Sequence, residues 1–496
     1  MATETNHNPS RPSGIGGVRL YVTRMTDMAT SLPSAAHVLE PMTPTSDRGE
    51  RTTTANTVAW KPATLIAFRF CFVYFGLYVI MTQMFAGFFP IPGFNFPNIG
   101  ETAPIRALVQ FVGEYVLRLP QAIPIHPSGS GDKLYDWCFA FTLLLVAILA
   151  TAIWTARATN RVNHSSLNKW FRFFIRWAVA TTMLSYGFAK VVPLQMPVTS
   201  LARLVEPFGD FSMMGVLWYS IGAAPAYEIF VGSAEVFAGV LLFLPRTTMF
   251  GAMIALMDSI GILALNLTYD VPVKLFAFHL VLLSLILLAP NVRQLFDLFI
   301  MQRAIVPAAE PPLARTDRVQ RRVVIGQAIF GAYALLIHAG GSVMSWNSFG
   351  DGAPKSPLFG IWSVEESIVD GKEQPPLVTD STRWRHVILQ QPTRAQFQMM
   401  NMKVTSLPVA IDTVAKTFTV ITPKQLRTDM GISTKVVDTT SIKSVMHYER
   451  TTVGQLILDG NLHGRNVQMT LALRPMETFV QKGPRFHWIQ EYPVNK

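Results

Sequence analysis

Seven stretches of this chain carry enough consecutive apolar residues to be read as membrane-crossing helices: about 63–85, 135–154, 170–192, 226–244, 247–267, 272–289 and 323–345. A helix needs roughly 20 such residues to cross a hydrocarbon core of about 30 Å. Lipid offers backbone polar groups no partner, so helices and closed barrels are the spanning forms available. Half of the 496 residues are hydrophobic and 15% are charged, and the charges fall mostly between the apolar blocks. Residues 61–350 are therefore expected to form a mostly α polytopic membrane bundle of about seven transmembrane helices. The segment IRALVQFVGEYVLRL at 105–119, with Arg106 and Arg118 near its ends, reads as lying in the membrane interface.

The net charge of +11 does not signal nucleic acid, because the basic residues line no amphipathic face. Cys71 and Cys138 form neither a disulfide framework nor a CxxC pair, so no metal site is expected. Residues 1–60, rich in Thr, Ser, Pro and Arg, read as a disordered tail. Counting Lys and Arg near the span ends puts that tail in the cytoplasm. An odd number of spans then puts everything after residue 345 outside the cell.

From about 351 the apolar blocks give way to short alternating runs such as WRHVILQ, AQFQMMNMKV and KTFTVIT. QLILDGNLHGRNVQMTLAL reads as two strands around an LHG turn. Roughly eight such strands predict that 351–496 is an all-β antiparallel, barrel-like extracytoplasmic domain. It begins Gly360-Ile361-Trp362 and ends Leu473-Arg474, which weakly resembles calycin/lipocalin barrels. That resemblance implies that the Arg474 cation caps the Trp362 indole; a Trp that fills a β core is the plain alternative. The tail FHWIQEYPVNK is expected to pack back on the domain.

The third span carries Arg176, Ala180, Met183, Gly187 and Lys190 at spacings of four and three, which is one helical stripe. The fourth repeats this with Glu228, Gly232, Glu235 and Gly239. Small residues let helices approach, and buried charges must pair or face a wet cavity, so the two stripes are natural partners. At about 1.5 Å of rise per residue, Lys190, Glu235, Asp258, His279 and His338 fall in the outer half of the membrane. Together with Arg176 they form the candidate polar pocket.

Plainer readings stand beside that one. Lys190 snorkels to headgroups, Glu235 pairs with it for helix registry, Arg172 anchors the cytoplasmic surface, and Arg69 and Arg176 make structural contacts. Asp258 is too short to snorkel, and function is favoured there. His279 and His338 fit either a bis-imidazole haem site or two hydrogen-bonded bundle residues. Glu228 and Lys274 read as solvated interface charges, and Asp270 as a turn residue.

No phosphate loop, HExxH or GxSxG motif is present, and no catalytic residue set is assigned. RWAVATTMLSYGFAKVV, Glu235 in AEVFAGVLLFLPR, and two further apolar helices through LLAPN resemble the DoxX-like four-helix membrane proteins over about residues 170–295. In place of the usual Gly between its second and third helices stands Leu244-Pro245, and Asp258 has no counterpart in the pattern. The resemblance implies a bacterial inner-membrane protein, some of whose relatives are associated with quinone-linked sulfur oxidation or membrane redox complexes.

Two functional readings follow. In the first, Lys190, Glu235, Asp258 and His279 line a pocket that exchanges protons with a quinone, within a redox complex. In the second, the chain is a non-enzymatic membrane anchor or assembly factor whose external β domain binds a lipid, a small apolar ligand or a partner protein.

Overall fold

A computed structural model describes residues 59–92, 94, 96–126, 128–158, 162–305, 310–423, 441–451, 454–482 and 488–493; the expected tail lies outside these up to residue 58. The described residues contain ten α-helices: α1 (Pro62–Met81), α2 (Ala103–Phe111), α3 (Leu134–Arg157), α4 (Ser165–Val191), α5 (Met213–Gly222), α6 (Pro225–Phe243), α7 (Thr248–Thr268), α8 (Lys274–Leu288), α9 (Val292–Phe299) and α10 (Asp317–Phe349). Pro sits in the first turn of α1 and α6, where its fixed φ suits a helix start and its missing N–H costs nothing. α8 is started from another part of the chain: the Asp132 carboxylate accepts from the amides of Lys274 and Leu275 at 2.8 and 2.9 Å.

Six helices are long and apolar enough to cross a membrane: α1, α3, α6, α7, the α8–α9 stretch and α10. α4 occupies the third predicted span but carries too many charges to be counted with them. It is the central helix of the bundle, packing against α1, α6, α7, α8 and α10. Ile175, Val179, Ala180 and Leu184 on it are fully buried. Protein, not lipid, surrounds its charges. The interfacial segment at 105–119 is α2 followed by a π-helical turn, and one side of it leaves Leu108, Phe111, Tyr115 and Val116 exposed.

The C-terminal strands are β1 (Gly360–Val369), β2 (Lys372–Glu373), β3 (Trp384–Gln391), β4 (Arg394–Met399), β5 (Val404–Asp412), β6 (Thr417–Pro423), β7 (Ser441–Arg450), β8 (Gln455–Leu462) and β9 (Arg465–Leu473). Each long strand pairs antiparallel with the next, and β9 returns to β1, so eight strands close a ring with β2 as a stub on its edge. The β8–β9 hairpin turns at His463-Gly464, both at positive φ, which matches the right-handed twist of the flanking strands. Inward residues alternate along every strand: Trp362, Val387, Phe397, Phe418, Met446, Leu458 and Leu471 meet in one core. All of these are essentially inaccessible to solvent. The barrel is filled by its own side chains.

Its outer wall serves a different purpose. Ile361 and Ile388, which point away from the barrel core, pack with Leu201, Ala202 and Phe479, so the connection between α4 and α5 lies against β1 and β3. Gln390 Oε1 accepts from the Leu201 amide at 2.9 Å, Gln398 Nε2 donates to the Val205 carbonyl at 3.2 Å, and Lys482 Nζ donates to the Thr199 carbonyl at 3.3 Å. Of the tail FHWIQEYPVNK, Trp488, Ile489 and Tyr492 are exposed, and residues 486, 487 and 494–496 lie outside the described residues.

His386 is buried on this same outer wall, its Nδ1 3.1 Å from the Ser363 hydroxyl. Burial, reinforced by the Arg385 and Arg474 cations, pushes its imidazole down from 6.5 to about 4. The unfolded chain therefore takes up a proton that the native barrel refuses, and the stability present above pH 6.5 is lost as pH falls from there toward 4. Asp380 and Asp412, both held low by backbone amides, add losses of the same sign below the ordinary carboxylate range. The expected outcome is a melting temperature of the full-length protein that drops across pH 6.5 to 4, with His386→Gln showing a shallower drop. Equal slopes would remove His386 as the cause.

Candidate functional site

α4 and α6 approach until their backbones touch. A Cβ placed on Gly232 would lie 2.7 Å from the Gly187 carbonyl oxygen, and one on Gly187 would lie 2.9 Å from the Gly232 carbonyl. Only glycine permits this contact. Three residues along each stripe from that crossing stand Lys190 and Glu235, so the close approach of the backbones brings their side chains together. The Lys190 ammonium lies 2.8 Å from Glu235 Oε1 and donates to Oε2 at 2.9 Å. It also reaches the Tyr186 carbonyl at 3.5 Å and stands over the Tyr186 ring. Lys190 is 5% exposed and Glu235 is 0% exposed. An ion pair so deeply buried is held by its partners and not by solvent.

Two more carboxyl groups belong to this neighbourhood. Asp258 on α7 feels both Glu235 and Lys190, and its Oδ2 is buried without a hydrogen-bond partner. Glu228, expected as a solvated interface charge, is instead 1% exposed. It sits two turns before Glu235 on the same stripe. Its Oε1 accepts from the Met196 amide at 3.0 Å, pinning the chain that leaves α4, while Oε2 has no partner. The seven-residue spacing from Glu235 was the signal in the sequence that linked it to the cluster.

The other candidates lie elsewhere. His279 is held by Tyr74 and Tyr78 of α1: its ring stacks on Tyr78 at 3.8 Å, and Nε2 is 2.8 Å from the Tyr74 hydroxyl. Nδ1 faces the Leu275 carbonyl at 2.7 Å. A carbonyl only accepts, so Nδ1 carries the proton and Nε2 accepts from Tyr74. Both ring nitrogens are thus engaged, and haem ligation by His279 and His338 would require displacing one of these partners. Arg176 points away from Lys190, toward Thr248 Oγ1 at 3.0 Å and Gln327 Oε1 at 2.5 Å. Arg172, expected at the surface, is buried and bound to Glu310 at 2.5 Å. Arg69 bonds His164 Nε2 and Thr155 Oγ1. Lys274 reaches Asp270 at 2.8 Å, and Asp270 takes the positive φ of a turn.

His338 on α10 opens onto a cavity of about 710 Å³ between α4, α10 and the segment after α1. Met84, Phe89 and Ile91 supply apolar wall, and Ser185, Ser342 and Ser345 supply hydroxyls. Two polar atoms there, His338 Nε2 and Gln195 Oε1, are buried with no partner among the described residues. A second cavity of about 760 Å³ shares the wall formed by Gln83, Tyr186 and Phe276. There Gln83 Nε2 donates to the Tyr186 hydroxyl at 2.9 Å.

In the barrel, Trp362 fills the core and donates from Nε1 to the Leu358 carbonyl at 2.8 Å. The guanidinium over its ring is Arg450, 5.7 Å from the centroid; Arg474 stands over Phe479 at 4.3 Å. The expected Arg474 cap is corrected accordingly. Arg450 ends β7, and only the strand register, which the sequence does not display, brings it to Trp362.

Removing one member of the buried pair leaves the other uncompensated. Lys190→Met is expected to lower stability by about 3–5 kcal/mol, and Lys190→Met combined with Glu235→Leu to restore most of it. Thermal unfolding of the detergent-solubilised protein reads the difference. A single substitution as mild as a surface change would contradict the burial of the pair.

No family model and no solved structure matches the chain. Uncharacterized protein YwoB of Bacillus subtilis (strain 168) is 32% identical to it over 129 residues, a stretch covering 26% of this chain and 79% of YwoB. Over that quarter of its length, the chain belongs to the family of YwoB.

Proposed function

We propose that this is a multi-pass membrane protein that binds a ring compound of the quinone class, drawn from the lipid phase, in the cavity beside His338. The carrying observation is the pair of buried, unpartnered polar atoms, His338 Nε2 and Gln195 Oε1, in an otherwise largely apolar cavity. Buried polar atoms without partners are costly, and a ligand that satisfies them regains that cost. A quinone presents two carbonyl acceptors to the serine hydroxyls and to imidazole. Its reduced form presents hydroxyls that Gln195 Oε1 accepts. The cavity thus offers donors to the oxidised form and an acceptor to the reduced one. The barrel core, filled by Trp362, Phe397 and Phe418, leaves the bundle as the place to seek a small ligand.

The same reading takes α4 as a seventh span. With the Lys and Arg distribution, this sets the N-terminal side in the cytoplasm and the barrel on the extracytoplasmic face of a bacterial inner membrane. Support for the quinone class comes also from the resemblance of residues 170–295 to DoxX-like proteins, and a role as one component of a membrane redox complex accords with it.

Full-length protein in nanodiscs, titrated with a short-chain benzoquinone, should bind it saturably. His338→Leu should weaken that binding about fivefold, the worth of one hydrogen bond of about 1 kcal/mol, and Gln195→Leu should weaken binding of the matching hydroquinone by a similar factor. Folded protein that binds no quinone, or binding that neither substitution alters, overturns the proposal.

A further inference from the structure

One ammonium faces three carboxyl groups inside the bundle. α4 contributes Lys190 and the Tyr186 phenol, α6 contributes Glu228 and Glu235, and α7 contributes Asp258. Lys190 contacts Glu235 directly; Glu228 lies two turns earlier on the Glu235 stripe, and Asp258 is on α7, which packs against α6. Among the described residues, no second cation lies within ion-pairing distance of any of the three. Glu228 Oε2 and Asp258 Oδ2 are both buried without a donor. With every carboxyl ionised, the group would carry two uncompensated negative charges, with Glu228 and Glu235 buried and Asp258 half-buried. Each such ion costs several kcal/mol.

The surplus is removed either by a cation or by protons. Among the described residues, no set of three acidic, His or Cys side chains is spaced to hold a metal ion. Protons need no such geometry. An unpartnered carboxyl oxygen is also where a proton can reside without displacing an existing hydrogen bond.

We propose that Glu228, Asp258 and the Lys190–Glu235 pair form a proton-holding site in which three carboxyls share two dissociable protons around one ammonium. Glu228 is the entry group, because its other oxygen holds the Met196 amide in the loop at the barrel end of the bundle. One proton taken from water neutralises Glu228 and a second neutralises Asp258, and each returns to water when its carboxyl ionises. No electron moves and no bond other than O–H is made or broken. The site adjoins the His338 cavity through Tyr186, and it stands whether or not a quinone binds.

The test is infrared spectroscopy of the full-length protein in nanodiscs at neutral pH, in H₂O and D₂O, on wild type, Glu228→Gln, Asp258→Asn and the double variant. All are near-isosteric changes, and thermal unfolding confirms that each folds. Wild type should show deuteration-sensitive carboxylic-acid C=O absorbance, each single variant should lose part of it, and a pH-indicator titration into alkali should release about two protons more from wild type than from the double variant. Spectra and proton release identical in wild type and the double variant overturn the proposal, as does absorbance that sodium ion abolishes at constant pH. Because no quinone is present, either result leaves the binding test of the preceding section intact.

Discussion

Everything in the helical bundle is organised by the contact between α4 and α6. Glycine at 187 and 232 lets two backbones meet, and that approach fixes how the helices are registered. Register then decides which charges touch: Lys190 is delivered to Glu235, not to a lipid headgroup. A larger side chain at either glycine would separate the helices by more than the ion pair can bridge. The favourable Coulomb energy and the tight packing are thus consequences of one geometric permission. α4 can carry Arg172, Arg176 and Lys190 only because α6, α7, α8 and α10 surround it and supply partners.

Polar groups in the bundle fall into sets with different chemistry. At one end Arg172, Arg176, Gln327 and Glu310 tie helices together through short hydrogen bonds, and the buried atoms left over there, Arg172 Nε, Arg176 Nε and Gln327 Nε2, are donors. His279 is saturated by Tyr74 and a backbone carbonyl. Around Lys190 and beside His338 the atoms left over are carboxyl and amide acceptors and one imidazole nitrogen, groups that can take up a proton or a ligand's donor.

Much of the architecture was legible in the sequence because its determinants are local. Apolar block length gave the helices, alternation gave the strands, and LHG gave the last hairpin. The pairing of the two small-residue stripes was also readable, since both lie on one face of their own helix. What escaped were facts of three-dimensional register. Arg450 reaches Trp362 through the pairing of β7 with β8, β8 with β9 and β9 with β1. Glu228 is buried because the loop after α4 folds over it. His279 and His338 were expected at one depth yet face different companions, since depth along a helix says nothing of rotation about its axis. Arg176 shares the stripe of Lys190 but lies about four turns away, among other helices.

The segment leaving α4 is gripped twice within a few residues. Glu228 holds the Met196 amide, while Thr199 and Leu201 are bonded to the β domain. Only Pro197 and Val198 separate the first grip from the second, about 10 Å of extended chain, so the tether has almost no slack. The β domain is consequently a handle: a tilt imposed on it from outside the bundle arrives as tension on a carboxylate within.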